Sequence, residues 1–453
     1  MSAATPGATA LPGSAVVVGL GRSGVSTVRH LLRRGWQVAV TDSRAEPPGI
    51  ASLREWAPQA PLRCGGFDAT LLEGATLVVA SPGVSLREPI FTQARARGLE
   101  VVGDIELFAR ATRGTPTLGV TGTNGKSTVT TLVGRMAARA GRQVRVGGNL
   151  GPPALELLEP TGLADLYVLE LSSFQLEATQ SLELLAGAVL NLTADHMDRY
   201  ADLAAYAAAK ARIFARCGVA VVNADDEFVT AMPRPGQLVR RFTLREGTPA
   251  DYAVARRASE CWLMRGDQPL LPLSRMRLAG LHNAANALAA VALGEAAGLP
   301  MPAMLEELQE FTGLPHRSQW VAEIRGVRYV DDSKGTNVGA TLAAVAGLPG
   351  TLLLIAGGEG KNQDFRPLAD ALRGRVRLAL LIGRDAGALA AALGDACPQQ
   401  RCASLEAAVD AAAVVAQPGD TVLLSPACAS LDMFRDYAHR GDVFAAAVQR
   451  LAA

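Results

Sequence analysis

The segment at residues 119–128 reads GVTGTNGKST and constrains the fold more than any other part of the chain. An apolar, strand-like run leads into it, and an alternating, helix-like run leads out of it. A glycine-rich turn at such a junction points several backbone N–H groups inward, where the helix dipole also favours anions. Lys126 then supplies a cation for the outer phosphates, and the Ser127 hydroxyl is a ligand for Mg²⁺. The segment therefore predicts a phosphate loop.

This loop departs from the common GxxxxGK[ST] form, because Val120 occupies the position of the first glycine. Gly119 and Gly122 lie nearby instead, so the loop is expected to be a variant. A turn that merely joins a strand to a helix is the alternative. The GK[ST] triplet at the correct junction favours phosphate binding.

Short apolar runs alternate with longer helical patterns along all 453 residues, which is typical of βαβ units with parallel sheets. The chain is too long for a single hydrophobic core. We therefore expect an α/β fold with three domains, at residues 1–106, 107–314 and 315–453. The first and third are expected to be Rossmann-like. The central one carries the phosphate loop on a mainly parallel sheet, with a small β extension around residues 240–276.

Charge and composition exclude several classes of protein. The net charge is +1, so there is no overall electrostatic footprint for nucleic acid or an anionic membrane. No apolar run reaches the roughly 18 residues of a membrane span, and the first thirteen residues lack the pattern of a signal peptide. The six scattered cysteines form no CxxC pair, so we expect reduced thiols and a cytoplasmic location.

Acidic and polar residues follow two further strands of the central domain. Glu170 ends one apolar strand, and Asp195, His196 and Asp198 follow the next in the segment NLTADHMDRY. The carboxyl ends of parallel strands share one edge, and Mg²⁺ needs hard oxygen ligands, so these groups are metal candidates. A solvated acid at a strand end is an equal alternative for Glu170. A structural role is the commoner one for a lone histidine.

The N-terminal domain carries GLGRSG at residues 19–24, between a strand and a helix, and Asp42 ends the next strand. Taken alone, this pattern predicts NAD binding. It physically specifies only a close backbone approach to a diphosphate, and glycine packing alone is the alternative. A chain with both this pattern and a phosphate loop is expected to bind two phosphorylated ligands, which excludes a simple dehydrogenase.

The chain resembles the Mur ligase family in six segments that occur in the family's order: GTNGKST, GGNLG, ELSSFQLE, NLTADHMDRY, HNAAN and DSKGTN. Other segments are similar to those of members that add D-glutamate to UDP-N-acetylmuramoyl-L-alanine: GLGRSG, ASPG, GDIELFA, FTGLPHR, DDSKGTNVGA and LSPACASLDMF. The resemblance covers nearly the whole chain apart from the N-terminal tail.

The resemblance implies three domains that bind, in order, the UDP-linked substrate, ATP and glutamate. It implies that ATP, with Mg²⁺, phosphorylates the substrate carboxylate, and that the amine of glutamate attacks the acyl phosphate, in the biosynthesis of peptidoglycan precursors. Such a route is sound chemistry, because phosphorylation removes the charge that repels nucleophiles and supplies a leaving group. A monomer with no nucleic-acid or membrane partner is expected.

By this resemblance the catalytic candidates are Lys126, His196 and Lys210. Lys210 matches a lysine that the family carries as a carbamate, which turns a cation into a bidentate anion able to hold Mg²⁺. On sequence alone it is a surface lysine on an alanine-rich helix. The metal set is Ser127, Glu170, His196 and the Lys210 carbamate. The ATP-binding set is Gly122, Thr123, Asn124, Gly125, Lys126, Ser127, Thr128, Asn283, Asn286, Arg317, Asp332 and Lys334.

The resemblance also gives sets for the other two substrates. The set for the UDP-linked substrate is Gly19, Gly21, Arg22, Ser23, Gly24, Asp42, Ser43, Arg44, Gly83 and Asn149. The set for glutamate is Thr336, Lys361, Ser430, Leu431 and Tyr437. A dicarboxylate needs cations and N–H donors, which Lys361 and the region of Ser430 offer. Tyr437 stands where the family pattern has phenylalanine, so its role is open.

The sequence leaves several alternative functions open. A related ligase that adds L-glutamate or another amino acid shares the chemistry, and the sequence does not fix the handedness of glutamate. A nucleotide-dependent switch needs only one Mg²⁺ site, so the set of Glu170, His196 and Lys210 disfavours it. An NAD-dependent oxidoreductase is disfavoured by the phosphate loop.

Overall fold

The computed structural model describes residues 13–159, 164–278, 280–348 and 350–452. They form three α/β units in chain order, each built on a separate sheet of five, nine or six strands. We call them the N-terminal, central and C-terminal units. Most strand pairs are parallel, which confirms the predicted fold class. The N-terminal tail considered above lies, except for residue 13, outside the described residues.

The N-terminal sheet has the order β3-β2-β1-β4-β5, with every pair parallel. Its strands are β1 (Ser14–Val18), β2 (Gln37–Asp42), β3 (Leu62–Cys64), β4 (Leu77–Ala80) and β5 (Glu100–Gly103). Its helices are α1 (Arg22–Arg33), α2 (Ile50–Trp56), α3 (Pro89–Ala96) and α4 (Asp104–Ala111). Residues 15–18 are an unbroken apolar run and fully buried, as expected for a parallel strand covered on both faces. The strand order reverses between β1 and β4, which opens a crevice at their carboxyl ends.

The central sheet has the order β14-β13-β12-β11-β10-β9-β6-β8-β7. Its strands are β6 (Thr117–Thr121), β7 (Val144–Gly148), β8 (Leu166–Glu170), β9 (Leu184–Val189), β10 (Cys217–Asn223), β11 (Leu238–Thr243), β12 (Tyr252–Arg257), β13 (Glu260–Arg265) and β14 (Gln268–Pro272). Its helices are α5 (Lys126–Arg139), α6 (Ser173–Glu177), α7 (Leu203–Ala211), α8 (Glu227–Thr230), α9 (Leu281–Ala296) and α10 (Met301–Glu310). The predicted β extension is confirmed, because β12, β13 and β14 continue this sheet as an antiparallel meander.

The C-terminal sheet has the order β15-β16-β20-β17-β18-β19. Its strands are β15 (Gln319–Ile324), β16 (Val327–Asp331), β17 (Leu352–Gly357), β18 (Val376–Ile382), β19 (Gln399–Arg401) and β20 (Thr421–Leu424). Its helices are α11 (Val338–Gly347), α12 (Arg366–Leu372), α13 (Ala386–Leu393), α14 (Leu405–Val415) and α15 (Tyr437–Ala452). β15 is an antiparallel edge strand that was not predicted from the sequence, and its Trp320 is 62% exposed.

The N-terminal and central units share one continuous hydrophobic core. Phe108 of α4 packs edge-on against Tyr167 of β8, with ring centroids 5.1 Å apart. Short 3₁₀ helices at Ala69–Leu72, Ala154–Leu158, Arg212–Phe214 and Leu273–Arg275 complete the connections. Among the described residues, the helices are too short or too polar for any of them to cross a membrane.

Candidate active site

The phosphate loop connects β6 to α5 and is shaped by two glycines with positive φ. Gly125, at φ 83°, directly precedes the helix, and a Cβ there would lie 2.4 Å from Oδ1 of Asn286. Gly122, at φ 147°, passes close to Leu190. Only residues without a side chain fit at such positions, so the backbone is free to wrap an anion. The predicted strand–loop–helix arrangement is confirmed.

Lys126 points back over this loop. Its Nζ donates to the carbonyl oxygens of Gly122 (3.0 Å) and Thr123 (2.8 Å). Burial lowers the pKa of Lys126, while the negative charges of Glu170 and Asp195 act in the opposite direction. A phosphate oxygen at the loop would offer this ammonium a better acceptor than two carbonyl groups.

Ser127 and Glu170 come together as predicted, from α5 and the end of β8. The Ser127 hydroxyl donates to Oε2 of Glu170 (2.5 Å), and Asn149 Nδ2 donates to Oε1 (2.7 Å). Burial opposes ionisation of Glu170, but Lys126 and these hydrogen bonds bring the pKa below its ordinary value. A carboxylate beside a hydroxyl is a pair of hard oxygen donors, and this pair fits Mg²⁺.

Lys210 is buried rather than on the surface, with 1% of its area exposed. Its Nζ donates to the carbonyl of Gly122 (2.8 Å) and lies 4.4 Å from the centroid of the Tyr206 ring. Burial, reinforced by the charge of Lys126, lowers the pKa of Lys210 well below its ordinary value. The amine is therefore biased toward its neutral, nucleophilic form.

His196 follows Asp195 in the left-handed region, at φ 58°. Its backbone N–H donates to Oδ1 of Asp195 (2.9 Å), and its ring packs edge-on against Phe174. Burial lowers the pKa of His196 to about 4, although Asp195 opposes the shift. A neutral imidazole can act as a metal ligand. Among the described residues, no group of three or more His, Cys, Asp or Glu has the spacing of a metal cluster.

The C-terminal unit packs directly on the phosphate loop. Arg317 Nη2 donates to the Ser127 hydroxyl (2.5 Å), and Asn337 exchanges amide hydrogen bonds with Asn124 (3.1 and 3.3 Å). Lys361 Nζ forms an ion pair with Oδ1 of Asp195 at 2.6 Å. The two units are therefore closed on each other.

Two further predicted residues of the C-terminal unit flank this contact. Asp332 accepts from the Ser425 hydroxyl (2.7 Å) and the backbone N–H of Ser318 (3.0 Å), and burial raises its pKa to about 7. Lys334 lies 4.0 Å from the centroid of the Tyr437 ring. Burial, followed by the charge of Arg317, lowers the pKa of Lys334 to about 8.

Two adjoining cavities meet at the phosphate loop. The first, of about 320 Å³, is lined by seven of the predicted ATP-binding residues: Asn124, Gly125, Asn283, Asn286, Arg317, Asp332 and Lys334. Four of these, Asn124, Gly125, Arg317 and Lys334, also line the second cavity. The second, of about 250 Å³, contains Thr123, Lys126, Ser127, Asn149, Glu170, His196, Lys210, Thr336 and Lys361. Thr128 is buried in α5 and lines neither. We call them the nucleotide cavity and the reaction cavity.

A third cavity, of about 420 Å³, lies in the crevice of the N-terminal sheet, and we call it the sugar-nucleotide cavity. It is lined by Gly19, Gly21, Arg22, Ser23, Gly24, Asp42, Ser43, Arg44 and Gly83, all predicted. Asn149 lies in the reaction cavity instead. Asp42 holds Arg44 through two side-chain hydrogen bonds (2.7 and 2.9 Å), and it also accepts from the backbone N–H of Leu20.

The predicted glutamate residues are only partly brought together. Thr336 and Lys361 line the reaction cavity. Ser430 is buried and Leu431 is 68% exposed, and neither lines the nucleotide or reaction cavity. Tyr437 contacts the site through Lys334.

Sequence reasoning missed Asn191 and Asn337. Asn191 Oδ1 accepts from the backbone N–H of Asn124 (2.8 Å), and Asn337 caps α11 while it contacts Asn124.

The lysine content of the chain is a further signal that was not used to predict the site. The chain has 44 basic residues but only four lysines, at positions 126, 210, 334 and 361, and all four line the reaction cavity. Such scarcity would have separated Lys210 from a surface lysine.

The fold and the three cavities define a P-loop α/β protein with a second, nucleotide-type crevice in a separate sheet. Three family models match the chain: the MurD-like N-terminal domain of Mur ligases at residues 13–103, the Mur ligase middle domain at 120–294, and the Mur ligase glutamate ligase domain at 316–428. The chain belongs to the Mur ligase family.

Relatives and solved structures agree with this assignment. The chain is 55% identical over 442 residues to UDP-N-acetylmuramoylalanine--D-glutamate ligase of Nitrosococcus oceani, covering 97% of each chain. It is 50% identical to the ligase of the same name from Marinobacter nauticus, covering 96% of this chain and 98% of the relative. Its fold is similar to that of MurC from Thermotoga maritima, with a TM-score of 0.61 at 19% identity, covering 97% of this chain and 99% of the other.

Proposed function

We propose that this protein is an ATP-dependent ligase that joins D-glutamate to UDP-N-acetylmuramoyl-L-alanine, in the biosynthesis of peptidoglycan precursors. The observation that carries this proposal is 55% identity, over 97% of both chains, to a relative named for that reaction. The geometry agrees, because the reaction needs three ligand sites that converge on one phosphate. The cavities beside the phosphate loop and in the N-terminal crevice supply suitable places.

The charge of the reaction cavity suits this chemistry. Three lysines, Lys126, Lys334 and Lys361, and Arg317 line the same cavity as Glu170 and Asp195. A triphosphate and two carboxylate substrates bring dense negative charge, which these cations would neutralise. Burial is the main cause of the lowered pKa values of Lys126 and Lys334, and repulsion from neighbouring cations adds to it. Anionic substrates would offset that cost.

In the proposed reaction, a carboxylate oxygen of the alanine residue attacks the γ-phosphorus of ATP, and ADP leaves. Lys126 and the loop N–H groups hold the transferring phosphoryl group. The amine of glutamate then attacks the acyl carbon, loses a proton, and phosphate leaves with the oxygen that came from the carboxylate. The closed contact between the central and C-terminal units would exclude water, which otherwise hydrolyses the acyl phosphate.

We assign Mg²⁺ to this site as a cofactor. Ser127 and Glu170 would hold one ion, and His196 and Lys210 are the candidates for a second. When bound, Mg²⁺ would neutralise negative charge on the phosphoryl group that is transferred. The buried, largely neutral Lys210 amine suits reaction with CO₂, in which an N–C bond forms and a proton leaves to solvent.

We assign the sugar nucleotide to the N-terminal crevice, with Asn149 near its acyl end, and glutamate to the side of the reaction cavity with Thr336 and Lys361. Ser430, Leu431 and Tyr437 stay predictions for the glutamate site, since none of them lines the reaction cavity. Domains at residues 1–106, 107–314 and 315–453, a monomeric state and a cytoplasmic location stay predictions.

Phosphate release by the purified chain tests the proposal. With ATP, Mg²⁺ and UDP-N-acetylmuramoyl-L-alanine, release is expected to require D-glutamate, and L-glutamate is not expected to replace it. Release with L-glutamate alone would favour the alternative family member. No release with either would contradict the ligase assignment.

A further inference from the structure

Arg199 contacts parts of the molecule that line two different cavities. It belongs to the segment after β9, three residues beyond His196, and its side chain is 14% exposed. Nη1 donates to the carbonyl of Pro82 (3.3 Å), and Nη2 donates to that of Val84 (3.1 Å). The guanidinium carbon lies 4.0 Å from the centroid of the Phe174 ring. One side chain thus spans from the N-terminal unit to the central unit.

The two acceptors and the ring have distinct positions. Pro82 and Val84 belong to the loop after β4, which lines the sugar-nucleotide cavity. Phe174 lies in the first turn of α6 and lines the reaction cavity. Glu177 at the other end of α6 is 3.7 Å from Arg199. The backbone N–H of Arg199 also donates to the carbonyl of His196 (2.9 Å).

A guanidinium is a rigid, planar group, so satisfying two carbonyls and one ring face fixes their mutual distance. Charge-assisted hydrogen bonds are stronger than neutral ones, and a cation over an aromatic ring adds a further attraction. The acceptors are backbone groups, so the contact sets the path of the loop itself. The contact therefore affects the distance between the sugar-nucleotide cavity and the reaction cavity, which a long substrate must span.

Taking the proposed function as given, we propose that Arg199 is a positioning residue for the sugar nucleotide. It holds the loop at residues 81–84 at a fixed distance from Phe174. It thereby sets how far a substrate seated in the N-terminal crevice extends toward the phosphate loop. Neither Arg199 nor the residues that its side chain contacts line the nucleotide cavity, so ATP binding is expected to be independent of Arg199.

Steady-state kinetics of two substitutions test this role. Arg199→Met keeps a long apolar stem but removes the charge and both hydrogen bonds, whereas Arg199→Lys keeps the charge and the contact with Phe174. We expect the KM for UDP-N-acetylmuramoyl-L-alanine to rise at least about tenfold in the Met variant and less in the Lys variant. The KM for ATP is expected to stay at the wild-type value. Arg142→Met, at an exposed position, is the matched control.

The possible results distinguish failure of the positioning role of Arg199 from failure of the proposed ligase function. An unchanged KM for the sugar nucleotide in Arg199→Met would overturn the positioning role. An equal rise in the KM for all three substrates, together with a lower Tm in both variants, would show a merely structural role and also overturn it. Wild-type protein that forms no amide would overturn the proposed function instead.

Discussion

Lys361 Nζ lies 2.6 Å from Oδ1 of Asp195, so an ion pair joins the C-terminal unit to the central unit across the reaction cavity. Both side chains are largely buried. Burial opposes ionisation of Asp195, but the charge of Lys361 brings its pKa below the ordinary value. A substrate carboxylate that reaches Lys361 would compete with Asp195 for the same ammonium. Glutamate binding and closure of the two units are therefore expected to be linked.

Replacing Lys361 by methionine tests this link. We expect the KM for glutamate to rise about tenfold to a hundredfold, because the variant lacks the cation and leaves Asp195 buried without its partner. The KM for the sugar nucleotide should change much less. Arg366→Met is the control, since Arg366 is in the same unit but 82% exposed, in a surface pair with Asp364. Equal KM values for glutamate in wild type and Lys361→Met would contradict the assignment.

Lys126→Ala is expected to lower turnover about a thousandfold, because the ammonium that contacts both Gly122 and Thr123 of the phosphate loop is lost. Initial rates of ADP formation at saturating substrates measure the effect, and a thermal melt checks that the variant is folded. Near-wild-type turnover in a folded variant would refute the role of Lys126 in phosphoryl transfer.

Two glycine substitutions, one next to each end of helix α5, distinguish the effect of backbone strain from a loss of nucleotide binding. Gly125 and Gly141 flank α5 at φ 83° and 80°, so alanine at either costs about 1–2 kcal/mol of stability. A Cβ at Gly125 also lies 2.4 Å from Asn286 Oδ1, whereas one at Gly141 meets open space. Calorimetry is expected to show weakened ATP binding only for Gly125→Ala. Equal ATP affinity in the two variants would argue against nucleotide binding at this loop.

Lys210→Ala is expected to lose activity, with partial recovery in millimolar short carboxylates that mimic a carbamate. The lysine content makes a direct measurement feasible, because only four lysines and the amino terminus are able to bind ¹³CO₂. We expect a ¹³C carbamate resonance in wild type that is absent from Lys210→Ala. Full activity in the variant would rule out an essential carbamate.

Stability should fall in acid because of His30, which is buried in α1. Burial, then the charge of Arg34, lowers its pKa to about 4, and Arg34 Nη1 lies 3.0 Å from its Nδ1. The unfolded chain takes up this proton near pH 6.5, before the folded chain does, so stability is lost as pH falls from 6.5 toward 4. The free energy of unfolding should decrease by on the order of 2–3 kcal/mol from this group. Denaturation of His30→Gln should show a correspondingly weaker pH dependence, and identical slopes would contradict this account.

The sites that sequence patterns predicted correctly are formed by elements that are close together in the chain. The phosphate loop depends on a strand, a turn and a helix that are contiguous, and nine predicted residues of the N-terminal crevice line one cavity. Each pattern spans about 25 residues or fewer, and only Gly83 lies outside these two segments. Periodicity and glycine spacing are sufficient to find such sites.

The remaining features depend on contacts between distant parts of the chain. Lys210 is buried because α7 packs against the phosphate loop, and its Nζ contacts Gly122, 88 residues earlier in the chain. The alanine-rich sequence of α7 does not indicate this contact. The contact of Arg317 with Ser127 spans 190 residues and two units. No local pattern encodes such contacts. Leu431 illustrates the opposite case, since only the resemblance assigns it to the glutamate site, and it does not line the reaction cavity.

In the proposed reaction, the γ-phosphoryl group held by the loop before Ser127 passes to a substrate carboxylate before glutamate attacks. UDP-N-acetylmuramoyl-L-alanine with both carboxylate oxygens as ¹⁸O tests it directly, by mass spectrometry of the phosphate released with D-glutamate. We predict one ¹⁸O atom in each released phosphate, because the bridging oxygen of the acyl phosphate leaves with phosphorus. Unlabelled phosphate accompanying amide formation would contradict the account.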